Sequence, residues 1–391
     1  MHILLIVNNY PTDWNFVRGI FYADQASALH EAGYQIGVLV ESGMQSMLDY
    51  IAYHKRLPPI IRVKSRNNLP VYECYWGEIP KTRINIRART KLWLARFTFQ
   101  RYVKKFGKPD IIHAHNSIYS GYIGAILGKE NSIPIVITEH SSAFVRGLIK
   151  EKQNSFVRFA LDNTQRRLAV SEPLSIALNH FTALPIIVQP NMVDTDFFDY
   201  LPPVNSQTFV FSIIAELNEN KRHRMLIDAF TAVFRDKPIM LMIAGDGDLR
   251  DTLEKYVSDL NMNRQIKFLG WLNRQEIRDV IYKSHCIISV SRVETFGLSL
   301  AEAMACGRPV IATRSGGPNT FVDARNGILV SVKGDQELIS ALQQMYENYD
   351  HYDTMAIRSA CVGKFSKSAL VNNLTQLYQS VLSDSNLQTE K

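Results

Sequence analysis

Two glutamates eight positions apart, Glu294 and Glu302, flank the segment Thr295-Phe296-Gly297-Leu298-Ser299-Leu300-Ala301. Carboxylates accept hydrogen bonds from neighbouring hydroxyls, so such a pair can grip the two ends of a polyhydroxylated ligand. The surrounding sequence reads as a strand closing near Ser289, a loop carrying Glu294, and a short helix that Gly297 opens and Gly307 and Pro309 end. Unpaired N–H groups at a helix start can hold a diphosphate, and a glycine lets the backbone approach it closely. Glu302 falls inside that helix, about two turns further on. The same residues also fit a surface loop and helix whose glutamates are merely solvated.

Other residues bear on this chemistry. Lys221, near a predicted helix start, is either a solvated lysine or the fixed cation that a diphosphate leaving group requires. His140 follows Pro134-Ile-Val-Ile-Thr-Glu139 and so falls at the carboxyl end of a strand, as does the pair His113-Ala114-His115. That pair has the spacing of metal ligands but no evident third partner, which favours a structural or acceptor-side role. Gly245-Asp-Gly-Asp248 and Asp194-Thr-Asp196 read as turn residues rather than metal ligands, and no metal is expected.

The elements that would position these groups alternate between strand and helix. In the first half, strands are expected at Ile3–Val7, Gln35–Val40, Asp110–His113 and Ile135–Thr138, with a helix from about Phe21 to His30. In the second, strands are expected at Phe209–Ile214, Ile239–Ala244, Ile266–Phe268, Cys286–Ser289 and Val310–Ala312, with a helix over Arg222–Phe234. Such alternation implies parallel sheets covered on both faces. With 391 residues, two domains are expected. Residues 1–188 form an N-terminal, acceptor-side Rossmann-like domain, 189–206 a link, 207–366 a nucleotide-binding domain, and 367–391 a C-terminal helix and tail. Two doubly wound domains facing each other would leave a cleft at the carboxyl ends of their sheets.

Together these motifs resemble glycosyltransferase family 4, the retaining enzymes of the GT-B fold. The resemblance rests on Glu294-x7-Glu302 with Phe-Gly inside it, Asn191-Met-Val-Asp-Thr-Asp-Phe197, Leu217-Asn-Glu-Asn-Lys221, Ala244-Gly-Asp-Gly247, Phe268-Leu-Gly-Trp271, Gly316-Gly317 and Ile137-Thr-Glu-His140. It spans nearly the whole chain, and the order of the pieces is more specific than any one of them. It implies that Glu294 binds hydroxyls of the donor sugar and Glu302 the ribose. The backbones of Phe296, Gly297 and Leu298 would meet sugar and phosphates, and Lys221 the diphosphate. It further places Gly19 by the donor phosphate, Trp271 and Leu272 by the base, and His140 beside the reacting sugar, with domain closure bringing His140 and Glu294 together. Two departures stand out. Glu216 occupies the position where the family often has arginine, so the second cation is missing or comes from Arg222 or Arg314. The residues before Gly19, Asp13-Trp-Asn-Phe-Val-Arg18, are not a glycine pair.

The expected activity is therefore retaining transfer of a sugar from a UDP- or GDP-linked donor to a saccharide or lipid-linked saccharide in cell-surface polysaccharide synthesis. No metal or other cofactor is required. The alternatives are a non-catalytic sugar-nucleotide-binding partner of another transferase, which Glu216 favours, and a GT-B-fold sugar-nucleotide epimerase. A dinucleotide-dependent dehydrogenase lacks its Gly-x-Gly-x-x-Gly after either first strand.

The net charge of +7 lies entirely in the first 200 residues, and residues 81–108 hold ten Lys/Arg and no Asp/Glu. Within that stretch Leu92, Ala95, Phe99, Val103 and Phe106 recur at helical spacing. Either an ordinary surface helix or one docked on an anionic membrane surface fits this pattern. No nucleic-acid recognition motif accompanies the charge. The short apolar run at the start reads as a buried strand rather than a signal peptide, no segment is long enough to span a bilayer, and the four cysteines are widely spaced. A cytoplasmic protein, peripheral on the inner face of the cell membrane if docked, is the expectation.

Overall fold

The computed structural model describes residues 1–12, 18–41, 44–55, 57, 60–75, 84–202 and 208–389. Residues 13–17 of the loop before Gly19, 81–83 of the basic stretch and 203–206 of the expected link lie outside the described residues. The chain divides into two compact units: residues 1–192 together with 370–391, and residues 193–369.

The first unit is built on eight strands: β1 (His2–Val7), β2 (Gln35–Glu41), β3 (Ile61–Arg66), β4 (Leu69–Cys74), β5 (Ile111–His115), β6 (Ile135–Glu139), β7 (Arg166–Ala169) and β8 (Ile186–Val188). Their order is β3-β4-β2-β1-β5-β6-β7-β8. All neighbours run parallel except β3 and β4, which form an antiparallel hairpin with Ile61 opposite Cys74. The expectation of a wholly parallel sheet is corrected there. Asn67 and Asn68 between the two strands adopt left-handed φ angles of 50° and 62°, the geometry that a two-residue hairpin turn demands and that asparagine tolerates.

Every residue of β1 is buried, because helices cover both faces of the sheet. Ile3, Leu5 and Val7 enter one core with Tyr22, Ala26 and Leu29 of the helix Ile20–Glu31. Leu4 and Ile6 enter the other with Leu92, Ala95, Phe99 and Tyr102 of the helix Ile84–Phe106. Alternation of side chains along one strand thus feeds two cores. The C-terminal helix Lys367–Thr389 returns to this unit, placing Leu370, Leu374, Tyr378 and Val381 in the first of these cores.

The second unit carries six parallel strands: β9 (Phe209–Ile214), β10 (Ile239–Ala244), β11 (Ile266–Gly270), β12 (Cys286–Ser289), β13 (Val310–Thr313) and β14 (Gly327–Val330), in the order β11-β10-β9-β12-β13-β14. The order reverses between β9 and β12, and in the first sheet between β1 and β5. At such switch points the loops leave in opposite directions and open a crevice at the carboxyl ends of the strands.

Tyr378 is fully buried, and its hydroxyl lies 2.6 Å from Nδ1 of His113. Tyr378→Ala is expected to lower the unfolding free energy in urea by about 3–5 kcal/mol. Tyr378→Phe, which removes only the hydroxyl, should cost about 1–3 kcal/mol.

Candidate functional site

In the second unit the switch point brings together the loops after β9 and β12. Asn220 ties them: its side-chain amide donates to the Val293 carbonyl at 2.9 Å, its Oδ1 accepts from Val293 N at 3.2 Å, and its own carbonyl accepts from Arg292 N at 2.8 Å. This binding places Lys221 Nζ 2.5 Å from Glu294 Oε2, which also accepts from Ser291 Oγ at 3.3 Å. Both side chains keep an open edge, 24% exposed for the lysine and 17% for the glutamate. The Glu294 backbone is held as well, its N–H on Ser315 and its carbonyl receiving Gly317 N at 2.7 Å.

Gly297 follows in a left-handed conformation (φ 97°) and caps the helix Leu298–Ala305. The first amides of that helix have no carbonyl partner within it, and the positive end of its dipole lies two residues beyond Phe296. Phe296 is buried and turns its ring inward between Phe321 and Phe365. Gly317 crosses it so closely that a Cβ there would sit 2.4 Å from the Phe296 Cα. Leu298 and Glu302 are half-buried on the helix. Leu272 is half-buried and Trp271 is 55% exposed, just after the end of β11.

The unit thus brings Lys221, Glu294, Phe296, Gly297 and Leu298 together around one switch point, with Glu302 further along the same helix. Trp271 and Leu272 stand two strands away in the sheet, on the same edge. His140 and Gly19 belong to the first unit.

The Arg222 guanidinium is spent on the carbonyls of Val290 and Val332, and its own backbone is left-handed (φ 51°). Arg314 is exposed, and Glu216 is exposed and accepts from the Asn218 amide at 2.9 Å. His223, next along the chain, is buried with neither ring nitrogen paired. Burial, and then the charge of Lys221, pull its pKa down to about 4, so it adds no charge beside the lysine. Asp246 pairs with Arg250 at 3.0 Å and Asp194 with Arg274 at 3.3 Å, each acting within a turn or link. Among the described residues no group of three or more His, Cys, Asp or Glu is placed to hold a metal ion.

In the first unit the corresponding strand ends carry a histidine chain. His140 Nε2 lies 3.0 Å from His115 Nδ1, the rings of His113 and His115 stack at 4.4 Å, and His113 Nε2 meets Thr138 Oγ1 at 2.8 Å. The amide nitrogen of Gln25 stands 3.5 Å from both His113 Nδ1 and His115 Nε2. With the Gln25 amide so oriented its nitrogen donates, and His115, accepting at Nε2, would carry its proton on Nδ1. It then donates to His140 Nε2, which leaves the His140 proton on Nδ1. Burial holds all three rings neutral, pushing His113 and His140 to about 3 and His115 well below its ordinary value. Gly19, left-handed at φ 76°, caps the helix Ile20–Glu31 after the β1 loop.

Beside this chain opens a pocket of about 240 Å³, lined in part by Asn8, Glu41, Lys91, Asn116 and Glu139. Glu139 is fully buried and accepts four hydrogen bonds, from Ser117 N and Oγ, His140 N and Ser141 N, at 2.6–2.9 Å. Sequence reading missed Glu139 and Asn220, although each immediately precedes a residue that it singled out. It missed Glu41 and Lys91 because their partnership spans fifty positions and leaves no local pattern.

Residues 19–197 match the family model Glycosyltransferase Family 4, and residues 195–360 match Glycosyl transferases group 1. The two models follow one another along nearly the full chain, and the protein belongs to glycosyltransferase family 4. It is 28% identical over 272 residues to an uncharacterized glycosyltransferase of Methanocaldococcus jannaschii, covering 69% of this chain and 75% of that one. It is 27% identical over 265 residues to the Escherichia coli UDP-Gal:alpha-D-GlcNAc-diphosphoundecaprenol alpha-1,3-galactosyltransferase, covering 62% and 67%. The crystal structure of Anabaena HepE in complex with UDP matches with a TM-score of 0.72 at 19% identity, covering 97% of this chain and all of that one. The fold is GT-B, two α/β units with parallel sheets.

Burial of neutral histidines has a pH signature. Their folded pKa values lie below the ordinary 6.5, so the stability they contribute is complete above pH 6.5 and is lost as the pH falls towards about 3. The nitrogen-15 NMR shifts of His140 and His115 are expected to show the Nδ1–H tautomer and to stay flat between about pH 5 and 8. Titration of either ring near pH 6.5 would contradict the buried chain.

Proposed function

We propose that the protein transfers a sugar, with retention of anomeric configuration, from a UDP- or GDP-linked donor to a saccharide or lipid-linked saccharide used in cell-surface polysaccharide synthesis. The observation that carries this is the Lys221–Glu294 pair at the β9/β12 switch point, set beside the Gly297-capped helix. Lys221 and the first helix amides supply positive potential for a departing diphosphate, so the reaction is assigned no metal. Glu294 binds hydroxyls of the donor sugar, Glu302 the ribose, and the backbones of Phe296, Gly297 and Leu298 the sugar and phosphates. Trp271 and Leu272 frame the base, Gly19 serves the phosphate, and neutral His140 is the hydrogen-bond partner of the reacting sugar. HepE's crystallisation with UDP and the lipid diphosphate named for the Escherichia coli relative support this choice of donor and acceptor class.

We also assign the helix Ile84–Phe106 to an anionic membrane surface. Its inner face is core, while Trp93 is 64% exposed and Phe97 47%. Around them Arg89, Arg96, Arg101, Lys104 and Lys105 are exposed with no acidic residue on the helix. Aromatic rings bordered by cations suit an anionic interface. No helix among the described residues is long and apolar enough to cross a membrane, so attachment would be peripheral, on the inner face of the cell membrane.

Two measurements test these assignments. Glu294→Ala should reduce sugar transfer by about a hundredfold or more with the melting temperature little changed. Nucleotide binding without turnover in the wild type would favour the non-catalytic partner that Glu216 suggests. In sedimentation with phosphatidylglycerol vesicles, binding should fall with added salt and in Trp93→Ser/Phe97→Ser, and phosphatidylcholine vesicles should bind little.

A further inference from the structure

Helix Leu298–Ala305, which Gly297 caps, is eight residues long, about 12 Å at the usual rise. Its carboxyl end meets two arginines. Arg308 is fully buried, and its backbone N–H donates to the Ala303 carbonyl at 2.9 Å, folding the residue back onto the helix end. Its guanidinium donates to the carbonyls of Cys306 at 3.0 Å, Leu201 at 2.7 Å and Tyr282 at 3.1 Å. From the helix Thr354–Phe365, Arg358 donates to the Ala305 carbonyl at 2.6 Å and to those of Phe198 and Thr195 at 3.1 and 3.2 Å.

The two cations differ in their surroundings. Arg358 is paired at 2.8 Å with Asp199, whose side chain is 63% exposed. Arg308 donates only to neutral carbonyls, and among the described residues no carboxylate pairs with it. Burial lowers its pKa, and the side chains that bear most on its charge are Tyr349, Cys306, Tyr200 and Tyr282, phenols and a thiol that are uncharged at neutral pH. A guanidinium keeps its proton in a protein interior, so a full positive charge sits there without a counter-ion. Burying an unpaired ion is costly, and packing alone would be met by an apolar side chain. The helix gives the charge a use. Cations at its carboxyl end offset the negative pole of the dipole and leave the positive amino end unopposed. Their own field reaches that end through buried protein, where salt screens little. At about 12 Å and an effective dielectric constant of about 20, one charge acting on another changes binding about tenfold.

We propose that Arg308 is a positioning residue for the donor diphosphate: without touching the ligand, it adds a further positive charge to that of Lys221, acting through the helix Leu298–Ala305. Arg358 contributes little while Asp199 neutralises it. The proposal rests on the reading of the Lys221–Glu294 loops and the Gly297-capped helix as the nucleotide site.

The test is calorimetric titration of the full chain with UDP, UMP and uridine and with GDP, GMP and guanosine, using the series whose diphosphate binds. Arg308→Met should weaken the diphosphate by about tenfold or more, the monophosphate less, and the nucleoside not at all. Arg308→Lys, which keeps the charge, should stay close to the wild type. Asp199→Asn, altered at an exposed side chain, releases the charge of Arg358 and should tighten diphosphate binding by about two- to threefold. Equal losses for diphosphate and monophosphate in Arg308→Met, as a merely structural role would give, or wild-type affinity in that variant, would overturn the proposal. Should Arg308→Met fail to fold, Asp199→Asn decides alone, and unchanged or weaker diphosphate binding there would overturn it. If neither diphosphate binds the wild type, the donor site itself falls and the role of Arg308 with it.

Discussion

One ammonium–carboxylate contact, Lys221 to Glu294, joins the two loops that leave the second sheet in opposite directions. Both loops are pinned by polar bonds that converge on Asn220 and Ser291. The partly exposed pair sits beside the amino end of a helix, where unpaired amides already favour negative charge. A cation paired with a carboxylate, beside unpaired helix N–H groups, makes a surface that is charged but not uniformly so. That suits a ligand carrying phosphates at one place and hydroxyls at another.

The first unit follows the same architectural logic with a different chemistry. At its own switch point the polar groups are buried and mutually satisfied: Glu41 by Lys91, Glu139 by four donors, His140 by His115. Buried charges without partners cost several kcal/mol each, so Glu41, Lys91 and Glu139 persist because each has one. The histidine chain reaches the C-terminal helix through Tyr378. The C-terminal helix thus contacts the ring that stacks on His115.

Much of this was legible in the sequence because parallel strands buried on both faces are continuous apolar runs. Phe209–Ile214, Ile239–Ala244 and Cys286–Ser289 were bounded to the residue. The Glu294 loop and its helix were legible because Gly297, Gly307 and Pro309 punctuate them. The β3–β4 hairpin escaped because Ile61–Arg66 is half-exposed and polar at alternate positions, so no apolar run announces it. The Lys91–Glu41 pair escaped because charge in a basic stretch reads as solvated surface, and only the folded chain shows one of its lysines turned inward. Nor does the sequence show that Arg222, the cation next to Lys221, donates from its guanidinium to backbone carbonyls.

The most direct measurement is calorimetric titration of UDP and of GDP into the wild-type protein and into Lys221→Met. The site described here predicts that one nucleotide binds the wild type and that Lys221→Met, still folded, binds it about tenfold or more weakly. Failure of both nucleotides to bind, or equal affinity in the variant, would contradict the assignment of the Lys221–Glu294 loops as the donor site.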